Sequence, residues 1–139
     1  METVNYLHAF NYREINQHSF PILQVRILNP NDVERGMDTD GYLDSGCEFS
    51  LFDGAICRII GINNLLDGER RIYEASNGAE VDARVHTVKL SHPGLGEFDL
   101  RIGFSLTEIR RNLLGRDFFN LTQIGFRERR LMFYMNPTP

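Results

Sequence analysis

The chain has 139 residues, of which 42% are hydrophobic and 24% are charged, and its formal net charge is −4. This length predicts one domain, residues 1–139, whose core is large enough to fold without disulfides or a metal. The mild acidity and the lack of a long basic block predict that the protein binds neither nucleic acid nor an anionic membrane surface.

The two cysteines, Cys47 and Cys57, are too few for a disulfide framework and lack the spacing of metal ligands. We therefore expect no metal and a reducing compartment, and no motif in the sequence implies an organic cofactor. The N-terminal residues do not form a basic segment followed by an apolar core, and no stretch approaches the roughly 20 apolar residues that a membrane helix requires. The sequence predicts a cytoplasmic protein without a membrane span.

The first segment with a clear pattern predicts a β-hairpin. Residues 21–28, PILQVRIL, alternate between apolar and polar side chains in their second half and are rich in β-branched residues, which is typical of a strand. The sequence Asn-Pro-Asn-Asp at residues 29–32 ends this strand with turn chemistry. We expect the polar residues 35–40 to form a connection and residues 41–44 to form the returning strand.

The middle of the chain predicts a second hairpin. Residues 49–52 fit a continuation or partner of the returning strand, whereas residues 55–60 fit either a short helix or a buried strand. Residues 71–75 and 81–90 alternate on either side of Ser76-Asn77-Gly78. Asn-Gly between alternating strands is the strongest short-range signal for a hairpin.

The last third predicts two more strands and a short helix. Residues 97–104 place apolar side chains on one face, and residues 131–135 form the last strand. We expect Asp117 to cap a short helix that runs to Leu121. Many short strands, regular turn signals and at most two short helices predict an all-β fold, a small closed β-barrel or sandwich.

Two segments of the chain contain the candidate catalytic residues. Residues 41–47, GYLDSGC, place Asp44-Ser45-Gly46 directly behind apolar residues, and residues 112–119 read NLLGRDFF. Alone, Asp-Ser-Gly is most simply a turn at the end of a strand, because all three residues favour turns. The two segments in this order resemble those of the single-domain retroviral-type (retropepsin-like) aspartic proteases.

The resemblance implies an aspartic endopeptidase in which Asp44 is the catalytic residue. That chemistry needs two facing carboxylates that share one proton, and this chain supplies one motif. The resemblance therefore implies a symmetric homodimer acting on a polypeptide substrate. Ser45 would hold the dyad by hydrogen bonding across the two-fold axis, and Gly46 would allow the close approach of the other subunit.

Further positions follow from the same resemblance. Glu48 and Arg116 would form a partly buried ion pair beside the site, although two independent surface charges remain the alternative. The hairpin tip at Asn77, Gly78 and Ala79, with Ser76, is the candidate flap, and a simple hairpin is its alternative.

Two other functions remain open at this stage. The first is a catalytically inactive retropepsin-fold module for dimerisation or peptide binding, because a fold alone does not establish activity. The second is an unrelated small β-barrel in which Asp44-Ser45-Gly46 is only a turn.

Overall fold

Strands dominate the computed structural model of the protein, which describes residues 3–75 and 77–137. The strands in these ranges are β1 (His8–Asn11), β2 (Arg13–Ile15), β3 (His18–Phe20), β4 (Ile22–Asn29), β5 (Asp32–Leu43), β6 (Leu51–Asp53), β7 (Glu69–Glu74), β8 (Glu80–His92), β9 (Gly96–Ser105), β10 (Leu113–Leu114), β11 (Thr122–Arg127) and β12 (Met132–Pro137). Two short α-helices accompany them, α1 (Ala55–Ile59) and α2 (Arg116–Phe119), and single 3-10 turns lie at Leu65–Asp67 and Glu128–Arg130. The predicted all-β fold with short helices is confirmed.

Three sheets contain these strands. The largest has seven strands in the order β4-β5-β10-β6-β9-β8-β7, and β4 also pairs with β8, so its pairings lead from β8 back to β4. A three-stranded sheet, β1-β12-β11, brings together the two ends of the chain, and β2 pairs with β3. The predicted hairpins of β4 with β5 and of β7 with β8 are both antiparallel pairs.

The core is formed by apolar side chains that alternate along the strands of the large sheet. Leu23, Val25 and Ile27 of β4 are buried while Gln24 and Arg26 between them are exposed, as the period of two in a strand requires. The largest fully buried side chains are Phe52, Phe104, Phe118 and Phe133. The predicted apolar face of β9 therefore packs into the interior.

Three local predictions are settled by the structure. The prediction of a connection at residues 35–40 is wrong, because these residues belong to the long strand β5. Residues 55–60, left open between helix and strand, form α1 and its C-cap. Asp117 is not the N-cap residue, because α2 begins at Arg116 and its N-cap residue is Gly115; the Asp117 carboxylate does accept the first-turn N–H of Phe118 at 2.8 Å, and it also binds Ser50.

None of the helices in the described ranges has both the length and the apolar character needed to cross a membrane.

Candidate active site

The position of Asp44 is set by two parallel strand ends. Leu43, the last residue of β5, pairs with Leu114 of β10, and the N–H of Asp44 donates to the carbonyl oxygen of Leu114 at 2.9 Å. Leu43 and Leu114 are both buried. The apolar pair therefore holds the backbone before Asp44 against the core, and the chain turns as soon as it leaves β5.

Residues 44–50, here called the Asp44 loop, begin with a tight turn. The N–H of Gly46 donates to Asp44 Oδ1 at 2.9 Å, and the N–H of Cys47 donates to the Asp44 carbonyl oxygen at 3.2 Å. A carboxylate that accepts a backbone N–H two residues ahead is the standard Asx turn. This turn fixes the Asp44 side chain, which is half-buried, whereas Ser45 and Gly46 are exposed at the tip.

The far end of the Asp44 loop is fastened by Ser50. Its hydroxyl donates to Asp117 Oδ1 at 2.7 Å and accepts the N–H of Gly115 at 3.0 Å, while its own N–H donates to Asp117 Oδ2 at 2.9 Å. Ser50 has no exposed surface. Gly115 has to lack a side chain here, because a Cβ atom would lie 2.5 Å from the carbonyl oxygen of Cys47.

The predicted ion pair between Glu48 and Arg116 does not form. Both side chains are exposed, and no ion pair in the described part of the chain joins them. The two backbone segments do meet, since the N–H of Arg116 donates to the carbonyl oxygen of Cys47 and the N–H of Asp117 donates to that of Glu48. The partly buried carboxylate of Asp117 fastens the loop through its hydrogen bonds to Ser50, and an exposed ion pair would add little to it.

The β7–β8 hairpin, here called the flap hairpin, ends in a small turn. The N–H of Ala75 donates to the carbonyl oxygen of Ala79 at 2.8 Å, and the Asn77 side chain accepts the N–H of Ala79 at 3.0 Å. Gly78 has a φ of +83°, a conformation that favours glycine. Asn77, Gly78 and Ala79 are exposed at the tip, and Ser76, also predicted there, lies outside the described residues.

One arm of the flap hairpin is tied to the Asp44 loop. The Tyr73 hydroxyl donates to the carbonyl oxygen of Ser50 at 2.8 Å, and the Arg71 guanidinium lies 4.0 Å above the centre of the Phe49 ring. Burial raises the pKa of Tyr73, which keeps its hydroxyl protonated as a donor. Strand β7 of the flap hairpin and the Asp44 loop are therefore packed against each other.

A cavity of about 920 Å³ brings these parts together. It is bordered by the Asp44 loop, by both arms of the flap hairpin and by the segment that leads into β10. Its apolar border includes Leu51, Val81, Ile109 and Leu113, and Asp44 provides a carboxylate. The structure thus places Asp44 and Gly46 beside this cavity, together with the strand residues that adjoin the tip of the predicted flap hairpin.

Cys47 is unsuited to act as a nucleophile. Burial, together with the negative charges of Asp44 and Asp117, raises the pKa of the Cys47 thiol to about 11, so the reactive thiolate is scarce at neutral pH. The thiol donates to the carbonyl oxygen of Phe49.

Two residues of the site were not found from the sequence. Ser50 is a lone hydroxyl inside the run Phe49-Ser50-Leu51-Phe52, and a polar residue in an apolar run is a usable sign of a buried hydrogen bond. Tyr73 lies on the predicted strand 71–75, but nothing in the pattern indicates which loop its hydroxyl reaches.

The structure is similar to two solved proteases. A retropepsin-like aspartic protease from Rickettsia conorii superimposes with a TM-score of 0.61 at 13% sequence identity, and the match covers 100% of both chains. EIAV protease complexed with the inhibitor HBY-793 superimposes with a TM-score of 0.50 at 21% identity, and the match covers 78% of this chain and 92% of that one. No protein-family model matches the sequence, and no curated protein matches it. The predicted resemblance is confirmed at the level of the fold: the chain has the fold of the retropepsin-like aspartic proteases.

Proposed function

We propose that the protein is an aspartic endopeptidase, in which the Asp44 side chains of two subunits activate a water molecule to hydrolyse a peptide bond. One observation carries this proposal: in a chain with the retropepsin-like fold, an Asp-Ser-Gly turn lies beside a cavity of about 920 Å³ that is shared with the flap hairpin. A concave, largely apolar cavity with a few polar groups is the usual form of a substrate site.

The chemistry requires two carboxylates in different protonation states. Two carboxylates about 3 Å apart share one proton, because both cannot be ionised at that distance. The ionised carboxylate takes a proton from water, and the protonated one donates to the carbonyl oxygen of the substrate as the water adds. The N–H of Gly46 engages Asp44 Oδ1, so we assign Oδ2 to the water and the shared proton.

A second subunit is needed to complete the site. The chain contains a single Asp-Ser-Gly sequence, so we place a two-fold axis beside Asp44. Ser45 is exposed at the tip of its loop and would donate a hydrogen bond across this axis. Gly46 has no Cβ atom, which leaves room for the partner subunit's loop.

The substrate would be an extended polypeptide that lies between the two Asp44 loops and the two flap hairpins. An extended chain binds such a cleft through backbone hydrogen bonds, like an added strand. The apolar border of the cavity favours apolar side chains at the cleavage point. Closure of the exposed tip at residues 77–79 over the peptide would exclude water from the reaction.

The test compares wild type with Asp44→Asn in the cleavage of an unfolded protein at acidic pH. Asp32→Asn is the matched control, because Asp32 is an exposed turn residue at the start of β5 and makes no ion pair within the described ranges. Circular dichroism and analytical ultracentrifugation establish fold and association for each variant before the assay. The rate is measured over a range of protein concentrations.

The proposal expects cleavage by wild type and Asp32→Asn but not by Asp44→Asn. It also expects the rate per subunit to fall on dilution, because a dissociated subunit has only half of the dyad. A folded wild-type dimer that cleaves nothing would favour the inactive dimerisation or peptide-binding module. Equal cleavage by all three proteins would place the activity away from Asp44.

A further inference from the structure

The segment that leads into β10 brings two arginines to the cavity that contains Asp44. Arg110 and Arg111 both border this cavity, and both are exposed. They also border a second cavity of about 400 Å³, whose lining includes Asp40 and Tyr42 of β5. Because the two cavities share both arginines, a bound polypeptide that leaves the Asp44 cavity in this direction passes the two guanidinium groups.

Arg111 is held in place by aromatic rings. Its guanidinium lies 4.4 Å from the centre of the Phe20 ring and 4.9 Å from the centre of the Tyr42 ring. These two rings pack edge to face at a centroid distance of 5.6 Å. A guanidinium stacked on aromatic faces keeps its N–H groups free at the edge for a carboxylate, and the stacking lowers the entropy cost of holding it there.

The two acidic residues that border the second cavity already have arginine partners. Asp40 forms an ion pair with Arg13, and Asp38 forms one with Arg26 at 3.2 Å. No ion pair within residues 3–75 and 77–137 involves Arg110 or Arg111. At the second cavity, Arg110 and Arg111 therefore have no carboxylate partner, whereas the two neighbouring aspartates are already paired with other arginines.

Two carboxylates also border the Asp44 cavity. One is Asp44 itself, and the other is Glu74, at the end of β7 in the flap hairpin. The positive charge is thus confined to the side of the cavity where the chain enters β10. An acidic side chain would be attracted on that side, and Glu74 would repel it on the flap side.

We propose that Arg110 and Arg111 form an acidic-residue subsite, so that the protein selects polypeptides with Asp or Glu near the apolar residues at the cleavage point. This inference rests on the proposed function for the peptide-binding role of the cavity. It adds a substrate class: an apolar cleavage point beside an acidic side chain, which the two guanidinium groups bind by charge-assisted hydrogen bonds.

The test measures binding rather than cleavage, so that it does not depend on catalysis. Asp44→Asn protein is titrated against fluorescent extended peptides with apolar central residues, in which a single Glu or Gln is moved along the flanking positions. We expect at least one position where Glu binds about five-fold more tightly than Gln at about 0.05 M salt, with a smaller ratio at about 0.5 M. The ratio should fall to about one when Arg110→Gln and Arg111→Gln are added.

Two further variants make the result specific. Arg111→Lys keeps the positive charge and should keep part of the preference for Glu. If the double variant does not fold, this single variant still tests the role of the guanidinium group. Arg58→Gln removes an exposed arginine at the end of α1 and should leave the ratio unchanged. Equal binding of Glu and Gln peptides at every position, no peptide binding, or a preference that survives the double substitution would overturn the inference.

Cleavage assays of wild type on the same peptides separate the two proposals. Cleavage without any preference for Glu overturns the acidic subsite and leaves the peptidase in place. A preference for Glu in binding without cleavage by wild type supports the subsite and overturns the peptidase.

Discussion

Ser50 and Asp117 bind each other at two points, and this contact fastens the Asp44 loop to α2. The Ser50 hydroxyl donates to one carboxylate oxygen of Asp117 at 2.7 Å, and its backbone N–H donates to the other at 2.9 Å. The same hydroxyl accepts the N–H of Gly115. Because Ser50 is fully buried, water does not compete for these groups.

Ser50→Ala should destabilise the protein by about 1–3 kcal/mol, because it leaves the Gly115 N–H without its acceptor and removes one of the two hydrogen bonds to Asp117 Oδ1, which keeps only the N–H of Phe118. Urea denaturation measures this loss. Ser105→Ala is the matched control, since Ser105 is also buried but donates only to the carbonyl oxygen of Thr107. A loss at Ser50 no larger than at Ser105 would contradict the assigned role.

Gly115→Ala should distort the Asp44 loop through a backbone collision. A Cβ atom there would lie 2.5 Å from the carbonyl oxygen of Cys47 and 3.2 Å from the carbonyl carbon of Phe49. We expect a loss of about 1–3 kcal/mol in stability and a large loss of any peptidase activity. Gly78→Ala is the comparison, because a Cβ atom at Gly78 meets nothing within 4 Å and costs only the strain of its positive φ.

Tyr73→Phe tests the tie between the flap hairpin and the Asp44 loop. The substitution removes the hydrogen bond to the Ser50 carbonyl oxygen, which keeps a second donor in the N–H of Gly103 at 3.1 Å. The expected loss is therefore modest, about 1 kcal/mol. Hydrogen exchange of β7 amides should accelerate more than that of β9 amides; equal acceleration in both strands would argue against a local tie.

If the proposed dyad operates, cleavage should be fastest at acidic pH. The mechanism needs one proton shared between two carboxylates, and this proton is lost as pH rises, so the rate should decline toward neutrality. A pH–rate profile with a short peptide measures this, with folding checked at each pH. A rate that stays flat from weakly acidic to alkaline pH would contradict the dyad.

The sequence predicted the strands well where one side of a strand is buried. Residues 21–28 and 97–104 alternate clearly, and both form strands within about two residues of the predicted bounds. Residues 35–40 were missed because none of them is fully buried and only Met37 is a large apolar residue, so the stretch lacks the alternation of a half-buried strand. Asp38 and Asp40 in this stretch bind arginines of other segments, a pairing that local pattern does not reveal.

The candidate site was predicted in its local parts and missed in its tertiary contacts. Asp44, Ser45 and Gly46 form the predicted turn at the end of a strand. The prediction for Glu48 and Arg116 was wrong about the side chains, because the loop is fastened by the neighbouring Asp117. The contact between Asp117 and the buried Ser50 joins residues that are far apart in the sequence, so no local spacing predicts it.

Cys47 offers a probe of the electrostatics around Asp44. Its pKa of about 11 arises mainly from burial and then from the charge of Asp44. A thiol near its ordinary pKa of about 8.5 is roughly one-quarter thiolate at pH 8, but a thiol at about 11 is only about one-thousandth thiolate. Alkylation of Cys47 in the folded protein should therefore be about 250-fold slower than in the unfolded chain at pH 8.

The rate of Cys47 alkylation should keep rising about ten-fold per pH unit until the pH approaches 11. Asp44→Asn removes a negative charge that raises the pKa, so the variant should be alkylated faster than wild type at the same pH. Mass spectrometry of iodoacetamide-treated peptides measures this, and the more deeply buried Cys57 is the internal control. A plateau near pH 9, or no change in Asp44→Asn, would mean that the Cys47 thiol lies outside the field of the Asp44 carboxylate.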